Sequence, residues 1–386
     1  MKIVRYIPLL VISFWLSACA TFISHAISLE DVALPSGPYK VGTQIIHMVD
    51  KERKAWYTDG LNGAREMMVR VWYPAILEEG DQKAPYNYNE ELIADMIADG
   101  FGIPKSIMRT INKIDGNSWL NATPLNQRFP VLIFSHGHGA LKTQNTTQME
   151  ELASHGYVLF ASDHTYDAGL SVFPENRVIL NKTDIPDGIS DKEKWGLREI
   201  QLNYRVGDVQ FLLDEMENGQ FLPPSLQNML ELDNIGIFGH SFGGATSVVA
   251  SLKDDRIDAA LGLDVWFLPI PSTLIKKNLN KPFVHLGQVA WKEKDNYLKL
   301  DTLASVNSAQ SLRFDVQGST HYDFSDFSQF SKVSKKYGSG TIASDRIRFI
   351  MNSTIRDFFD QNLKQSISIS LNDYKSLYPE IIIKEY

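Results

Sequence analysis

From Phe129 onward the chain alternates short, almost wholly apolar runs with longer stretches in which apolar residues return every three or four positions. The runs Pro130–Phe134, Tyr157–Ala161, Asn234–Phe238, Ala259–Leu263, Pro282–Leu286 and Leu312–Val316 predict strands buried on both faces. Between them, Thr143–Ser154, a long segment from about Asp191 to Glu217, Phe242–Leu252 and Tyr297–Val306 predict helices. The long one reads as interrupted or kinked near Gly196 and Gly207. Helices over Phe327–Ser334 and Ser344–Leu363 close the pattern. The alternation implies parallel βαβ units with right-handed crossovers: an α/β fold with a mostly parallel central sheet and helices on both faces.

Upstream, Val41–Val49 and Met67–Tyr73 predict two strands, the second stopped by Pro74. Residues 75–128 and 165–190 read as insertions, the latter loop-like. In the first, Leu92, Ile93, Met96 and Ile97 share one side of a helix over Glu90–Ile97, broken by Phe101-Gly102-Ile103-Pro104. With Ile107, Met108 and Ile111 they form a stripe with two readings. It is a face packed on the domain, or a surface that touches lipid or caps a site.

The amino terminus points to location. Lys2 and Arg5 precede an apolar run from Tyr6 to Trp15, too short to span a bilayer and suited to a signal peptide over residues 1–18. Leu16-Ser17-Ala18-Cys19 resembles the lipobox of bacterial lipoproteins. That resemblance implies cleavage before Cys19 and a lipid on its thiol, which places the protein on the cell envelope, anchored in a membrane. Residues 19–36 then form a tether and 37–386 a single domain. Cys19 is the only cysteine of the 386 residues, so the chain has neither an internal disulfide nor a nucleophilic thiol elsewhere. A formal charge of −8 excludes a nucleic-acid partner, which requires a basic face.

The chemistry centres on Gly239-His240-Ser241-Phe242-Gly243. A G-x-S-x-G run is weak by itself, but here a buried strand leads in and an Ala/Val-rich helix leads out. The motif needs that strand–elbow–helix to expose a serine hydroxyl on a strained turn. Ser241 is the candidate nucleophile, and a serine nucleophile requires a base. Two histidines lie downstream: His285 falls inside an apolar strand and reads as core, whereas His321 follows a strand in a loop at the carboxyl edge, where such sheets do their chemistry. For the acid, Asp254, Asp255 and Asp258 precede a strand and sit at the wrong end. Asp264 ends the strand after the nucleophile helix, and Glu293 or Asp295 one strand later are alternatives.

Acyl transfer also needs N–H groups aimed at a developing oxyanion. The amide of Phe242 is one candidate, and the loop Phe134-Ser135-His136-Gly137-His138-Gly139 stands where a second is expected. His136 and His138, two residues apart with no carboxylate nearby, make a poor metal site. Asp163-His164 also ends a strand at this edge and reads as a structural hydrogen-bonding pair. Trp266, Phe267 and Leu268 follow Asp264 as an acyl-pocket wall or as core.

Together these pieces resemble the plasma-type platelet-activating factor acetylhydrolases and their bacterial relatives, of the α/β-hydrolase superfamily. The likeness runs from about Gly37 to Phe327. It is carried by Gly37-Pro38-Tyr39-Lys40-Val41-Gly42, Val69-Arg70-Val71-Trp72-Tyr73-Pro74, Ser135-His136-Gly137-His138-Gly139, Gly239–Thr246, Leu263-Asp264-Val265-Trp266 and Gly318-Ser319-Thr320-His321. The resemblance implies Asp264 as the acid and the backbone N–H of His138 as second oxyanion donor, where the family usually has leucine. It implies hydrolysis of short or oxidised sn-2 acyl groups of phospholipids without calcium or another cofactor. A general carboxylesterase, a polyester or dienelactone-type hydrolase, and a non-catalytic lipid-binding lipoprotein are the alternatives.

Overall fold

The computed structural model describes residues 32–55, 63–111, 114–219, 221–329, 332–366 and 373–386. The predicted signal peptide and Cys19 lie outside the described residues, as does most of the tether. The chain opens with strands β1 (Lys40–Lys54) and β2 (Ala64–Ile76), followed by an insertion with β3 (Lys83–Pro85), helices α1 (Glu90–Phe101) and α2 (Lys105–Ile111), β4 (Asp115–Leu120) and β5 (Thr123–Pro124). Then come β6 (Phe129–Ser135), α3 (Thr146–Ser154), β7 (Val158–Asp163), the hairpin β8 (Leu170–Phe173) and β9 (Arg177–Leu180), and α4 (Asp191–Asn218). The carboxyl half holds β10 (Leu230–His240), α5 (Phe242–Lys253), β11 (Ala259–Leu263), β12 (Phe283–Gln288), α6 (Asp295–Val306), β13 (Ser311–Val316), α7 (Ser344–Leu363) and β14 (Ile381–Glu385).

Among the described residues twelve strands form one sheet, ordered β14-β13-β12-β11-β10-β6-β7-β2-β1-β4-β3 with β5 beside β2. From β7 to β13 the pairing is parallel, while β2 and β14 flank this run antiparallel. The apolar runs look unbroken because successive side chains enter different cores. Val131 and Ile133 face one layer with Val206, Val209 and Val248. Leu132 and Phe134 face the other with Leu152, Ile355 and Phe359. At about 1.5–3 kcal/mol per buried aliphatic side chain, one charge at Ile133 would outweigh several such contacts.

Several elements differ from the sequence expectations. Helix α4 runs unbroken through Gly196 and Gly207. Each glycine costs only about 1 kcal/mol in a helix, and burial of Leu202, Val206, Leu212 and Met216 outweighs it. Its start is fixed by a capping box in which the Ser190 hydroxyl accepts from the Glu193 amide and the Glu193 carboxylate accepts from the Ser190 amide. The loop-like segment 165–190 contains the β8–β9 hairpin. In place of a helix over Phe327–Ser334 there are short 3-10 turns at Asp326–Gln329 and Lys332–Tyr337. The insertion stripe packs inward in part: Ile93 lies against Leu141 and Leu170, Met108 against Ala94 and Ala98, while Leu92 stays exposed. The side chains of Ile107 and Ile111 lie outside the described residues. No described helix is long and apolar enough to cross a membrane.

Candidate active site

In parallel β10 and β11, His240 stands beside Leu263, so Ser241 and Asp264 leave the sheet side by side. The Ser241 amide donates to the Leu263 carbonyl at 2.9 Å and the Asp264 amide to the Leu286 carbonyl at 2.8 Å. Ser241 turns the chain with φ 56° and ψ −118°, a backbone region that costs a non-glycine residue about 1–3 kcal/mol. The turn closes tightly on the end of β6. A Cβ on Gly243 would lie 1.9 Å from the Ser135 carbonyl oxygen, so only glycine fits at that position.

His321, in the loop after β13, reaches both residues. The Ser241 hydroxyl donates to His321 Nε2 at 3.0 Å, and His321 Nδ1–H donates to the Asp264 carboxylate at 2.6 Å. Asp264 is fully buried, while the His321 side chain remains 29 % exposed. Neutral donors hold the carboxylate: the Gln288 amide at 3.0 Å, the Gln288 side chain at 2.9 Å and the Trp291 indole at 3.0 Å. Burial pushes this carboxyl up, but the hydrogen bond and charge of His321 prevail and hold it below its ordinary value. The alternative acids Glu293 and Asp295 are exposed, and it is Trp291, from that same segment, that touches Asp264.

His285 is fully buried; its Nε2 accepts from the Val265 amide at 3.2 Å. Burial drives it down to about pH 3, so it is neutral. His240, within the motif itself, carries more structure than its place as a variable position suggests. Its Nε2–H donates to the His321 carbonyl at 3.0 Å and its Nδ1 accepts from the Gln144 side chain at 2.8 Å. The Gln144 oxygen in turn accepts from the Gly137 amide at 2.8 Å. One relay of hydrogen bonds therefore ties the His136–Gly139 loop, the elbow and the His321 loop together. Burial, then the neighbouring His321 ring, lowers His240 to about 3.

Phe242 begins α5, in the first turn, whose amides have no intrahelical acceptor. Opposite it, Gly137 and Gly139 donate to Gln144 and to the Asp167 carbonyl, with His138 between them. The His138 ring turns away from His136: its Nε2 accepts from Arg198 at 2.9 Å and lies 2.9 Å from the Thr183 hydroxyl. Burial, together with Arg198 and Arg205, outweighs the pull of Asp167 and keeps this imidazole below its ordinary pKa. His136 is buried, its Nε2 accepting from the His164 amide. Among the described residues no group of three His, Cys, Asp or Glu side chains is placed to hold a metal ion. Trp266 packs edge-on to Phe242 at 5.6 Å and to Trp195 at 6.1 Å, with Arg198 over its ring, and is partly buried against the core. Phe267 is core.

Asp163 and His164 are not partners of one another. Asp163 accepts from the Lys142 amide and ammonium, while His164 bonds Ser135 and Asp208. The expected pair has to be corrected: successive strand-end residues point to opposite faces. Gln144, Gln288, Trp291 and Arg198 carried no sequence signal, because each acts across a long stretch of chain.

A parallel sheet with a serine at a strained elbow, a histidine from a late loop and an aspartate from the next strand defines the α/β-hydrolases. Over residues 26–366 the chain matches the family model "Platelet-activating factor acetylhydrolase, isoform II", and it belongs to that family. The guinea pig (Cavia porcellus) platelet-activating factor acetylhydrolase is 22% identical over 90% of this chain and 83% of its own length. A probable 1-alkyl-2-acetylglycerophosphocholine esterase of Arthroderma benhamiae is 23% identical over 90% of this chain and 92% of its own. The match to the dog (Canis lupus familiaris) acetylhydrolase, 24% identical, spans 54% of this chain and about half, 51%, of that protein. Among solved structures, a ferulic acid esterase from Streptomyces cinnamoneus superposes with a TM-score of 0.77 at 25% identity, covering 92% of this chain and 99% of that one.

Proposed function

We propose that this chain is a serine carboxylic-ester hydrolase that works through an acyl-enzyme, on short or oxidised acyl groups at the sn-2 position of phospholipids. The observation that carries the reading is the continuous hydrogen-bonded line from the Ser241 hydroxyl through His321 to buried Asp264. As Ser241 Oγ attacks the ester carbonyl, its proton passes to His321 Nε2, and Asp264 stabilises the resulting imidazolium and fixes its tautomer. The amides of Phe242 and His138 take the charge developing on the carbonyl oxygen, each worth about 3 kcal/mol. His321 then gives the proton to the departing alkoxide, and the acyl group stays on Ser241. Water, activated by the same imidazole, releases the acid and restores the hydroxyl.

Fluorophosphonate labelling tests the reaction class: modification at Ser241, lost in Ser241→Ala, is the expected result, and an unlabelled Ser241 defeats the reading. A panel of phospholipids of graded sn-2 length, run beside a simple butyrate ester, tests the substrate. Strong preference for the simple ester would favour a general carboxylesterase. That second reading draws on the ferulic acid esterase likeness and on the polar wall that His138 and Arg198 give the site. The mechanism uses no cofactor, so full rates in a calcium chelator are expected. Anchoring through Cys19 belongs to the same proposal. Incorporation of labelled palmitate, abolished by Cys19→Ala, is its check.

A further inference from the structure

We infer that Arg205 is a positioning residue for the oxyanion hole, holding the Gly137–His138 peptide so that its N–H turns toward Ser241. This inference rests on the hydrolase reading above and adds a part to it. Arg205 lies on α4 and is 1% exposed. Its Nη1 donates to the His136 carbonyl at 2.8 Å and its Nη2 to the Gly137 carbonyl at 3.2 Å. Its Nε faces the buried Asp167 carboxylate, and the Asp167 carbonyl accepts the Gly139 amide at 3.0 Å. The guanidinium thus grips two consecutive carbonyls, while its own anchor grips the next amide but one.

A trans peptide is planar, with its carbonyl and its N–H on opposite sides. The Gly137 carbonyl accepts from His136 Nδ1–H at 2.7 Å as well as from Arg205, and fixing it there fixes the His138 amide on the far side of the same plane. The nucleophile borders this loop: a Cβ on Gly137 would sit 3.5 Å from Ser241 Cβ and 3.1 Å from His240 Nδ1. The guanidinium also lies 4.8 Å from the centre of the Phe242 ring, so one side chain borders both the peptide that carries the His138 amide and the residue that carries the other amide of the proposed hole. A buried ion pair gives little net stability over apolar packing, which leaves geometry as the stronger reason for a cation here. Only the planar fork of arginine can meet two carbonyls and a carboxylate at once.

The test compares ordinary and thiono esters, such as p-nitrophenyl butyrate and its C=S analogue, in wild type, Arg205→Lys and Asp167→Asn. Sulfur is a poor acceptor for amides set for oxygen, so an intact hole prefers the oxo ester. In Arg205→Lys we expect kcat on the oxo ester to fall on the order of 100-fold, with KM within about threefold and the acid limb of the pH profile unmoved. The oxo-to-thiono rate ratio should fall toward unity. Asp167→Asn, which keeps the guanidinium but loosens its anchor, should move the ratio the same way by less. It serves if Arg205→Lys does not fold, as judged by melting and active-site titration. A folded variant of either kind with the wild-type ratio overturns the inference. The hydrolase reading fails separately and earlier, if wild type is neither labelled at Ser241 nor active on either ester.

Discussion

Two Ser–His–Asp chains stand in this protein. In one, Ser241 meets His321 at 3.0 Å and His321 meets Asp264 at 2.6 Å. In the other, Ser135 meets His164 at 2.8 Å and His164 meets Asp208 at 3.0 Å. The ring-nitrogen order is the same and every contact is within hydrogen-bond distance, so neither feature distinguishes a nucleophile from a brace. What differs is backbone, access and charge. Ser241 projects from a positive-φ elbow, whereas Ser135 ends a regular strand and, like His164 and Asp208, is completely buried. Apart from His321, Asp264 is held by neutral donors, with no guanidinium or ammonium among the described residues against it. Asp208 is neutralised by Arg65 at 2.6 Å and Arg53 at 2.9 Å. Burial would raise Asp208, but these two guanidiniums hold it well below the usual carboxylate range. Burial and the nearby Arg205 cation lower His164. The second chain braces the end of β6, where the His136–Gly139 loop begins.

The sharpest way to break that contrast is to delete each hydroxyl. Ser241→Ala should cut kcat by roughly 10⁵–10⁶-fold with an unchanged melting temperature. Ser135→Ala should keep fluorophosphonate labelling at Ser241 and lose about 1–3 kcal/mol of stability, because a buried ring nitrogen loses its donor. Labelling that vanished in both variants, with both still folded, would mean that the two chains are not separate in role.

The acids should divide in the same way. Asp264→Asn is expected to lower kcat by roughly 10⁴-fold through loss of the imidazole's orientation and counter-charge. Asp208→Asn leaves Arg65 buried without its carboxylate and should cost about 3–5 kcal/mol of stability, read from urea unfolding. Much of the residual activity should survive wherever the fold does. A stable, inactive Asp208→Asn would contradict the division.

Acid should act on both regions through histidines rather than through their aspartates. His240 and His285 are neutral down to about pH 3 in the fold, against an ordinary histidine value of 6.5. Between those values the unfolded chain binds protons that the native state refuses. Stability therefore falls as pH drops below about 6.5, by about 1.4 kcal/mol per pH unit for each histidine. His136 and His164 are lowered too and add to the loss. Asp326 opposes it: burial raises that carboxyl to about 6 from 3.8, so the folded state takes up a proton first and gains stability as pH falls through that window. Urea midpoints at pH 7, 6 and 5 should decline, and His285→Gln should flatten the decline by about one histidine. A level profile would sink this reading.

The sequence was legible where local pattern and chemistry coincide. Strand β11 and helix α7 fall at the predicted residues; motif and loop position point to Ser241 and His321, whereas it is the family resemblance that singles out Asp264 over Glu293 and Asp295. Legibility failed where the determinant is distant. Asp163-His164 reads as a pair, but nothing local shows that His164 turns to Asp208 on α4, 44 positions away. The β8–β9 hairpin was missed because its second strand is largely exposed, without a buried alternation to read. Strand β14 was missed because Ile381-Ile382-Ile383 is too short to separate a strand from a loop without its partner β13.

Helix α4 offers the finest test of what each buried chain is worth, because its two glycines differ in one respect. A Cβ at Gly196 meets nothing within 4 Å, while one at Gly207 would lie 2.5 Å from Arg53 Nη1. Gly196→Ala should therefore stabilise by about 1 kcal/mol, measured by chemical unfolding. Gly207→Ala gains the same helix propensity but pushes Arg53 away from Asp208 and from the Tyr204 carbonyl it donates to, so little or no net gain is expected. Equal gains at both positions would show that Arg53 contributes nothing measurable there. Asp208 would then be held by Arg65 and His164, with no measurable help from Arg53.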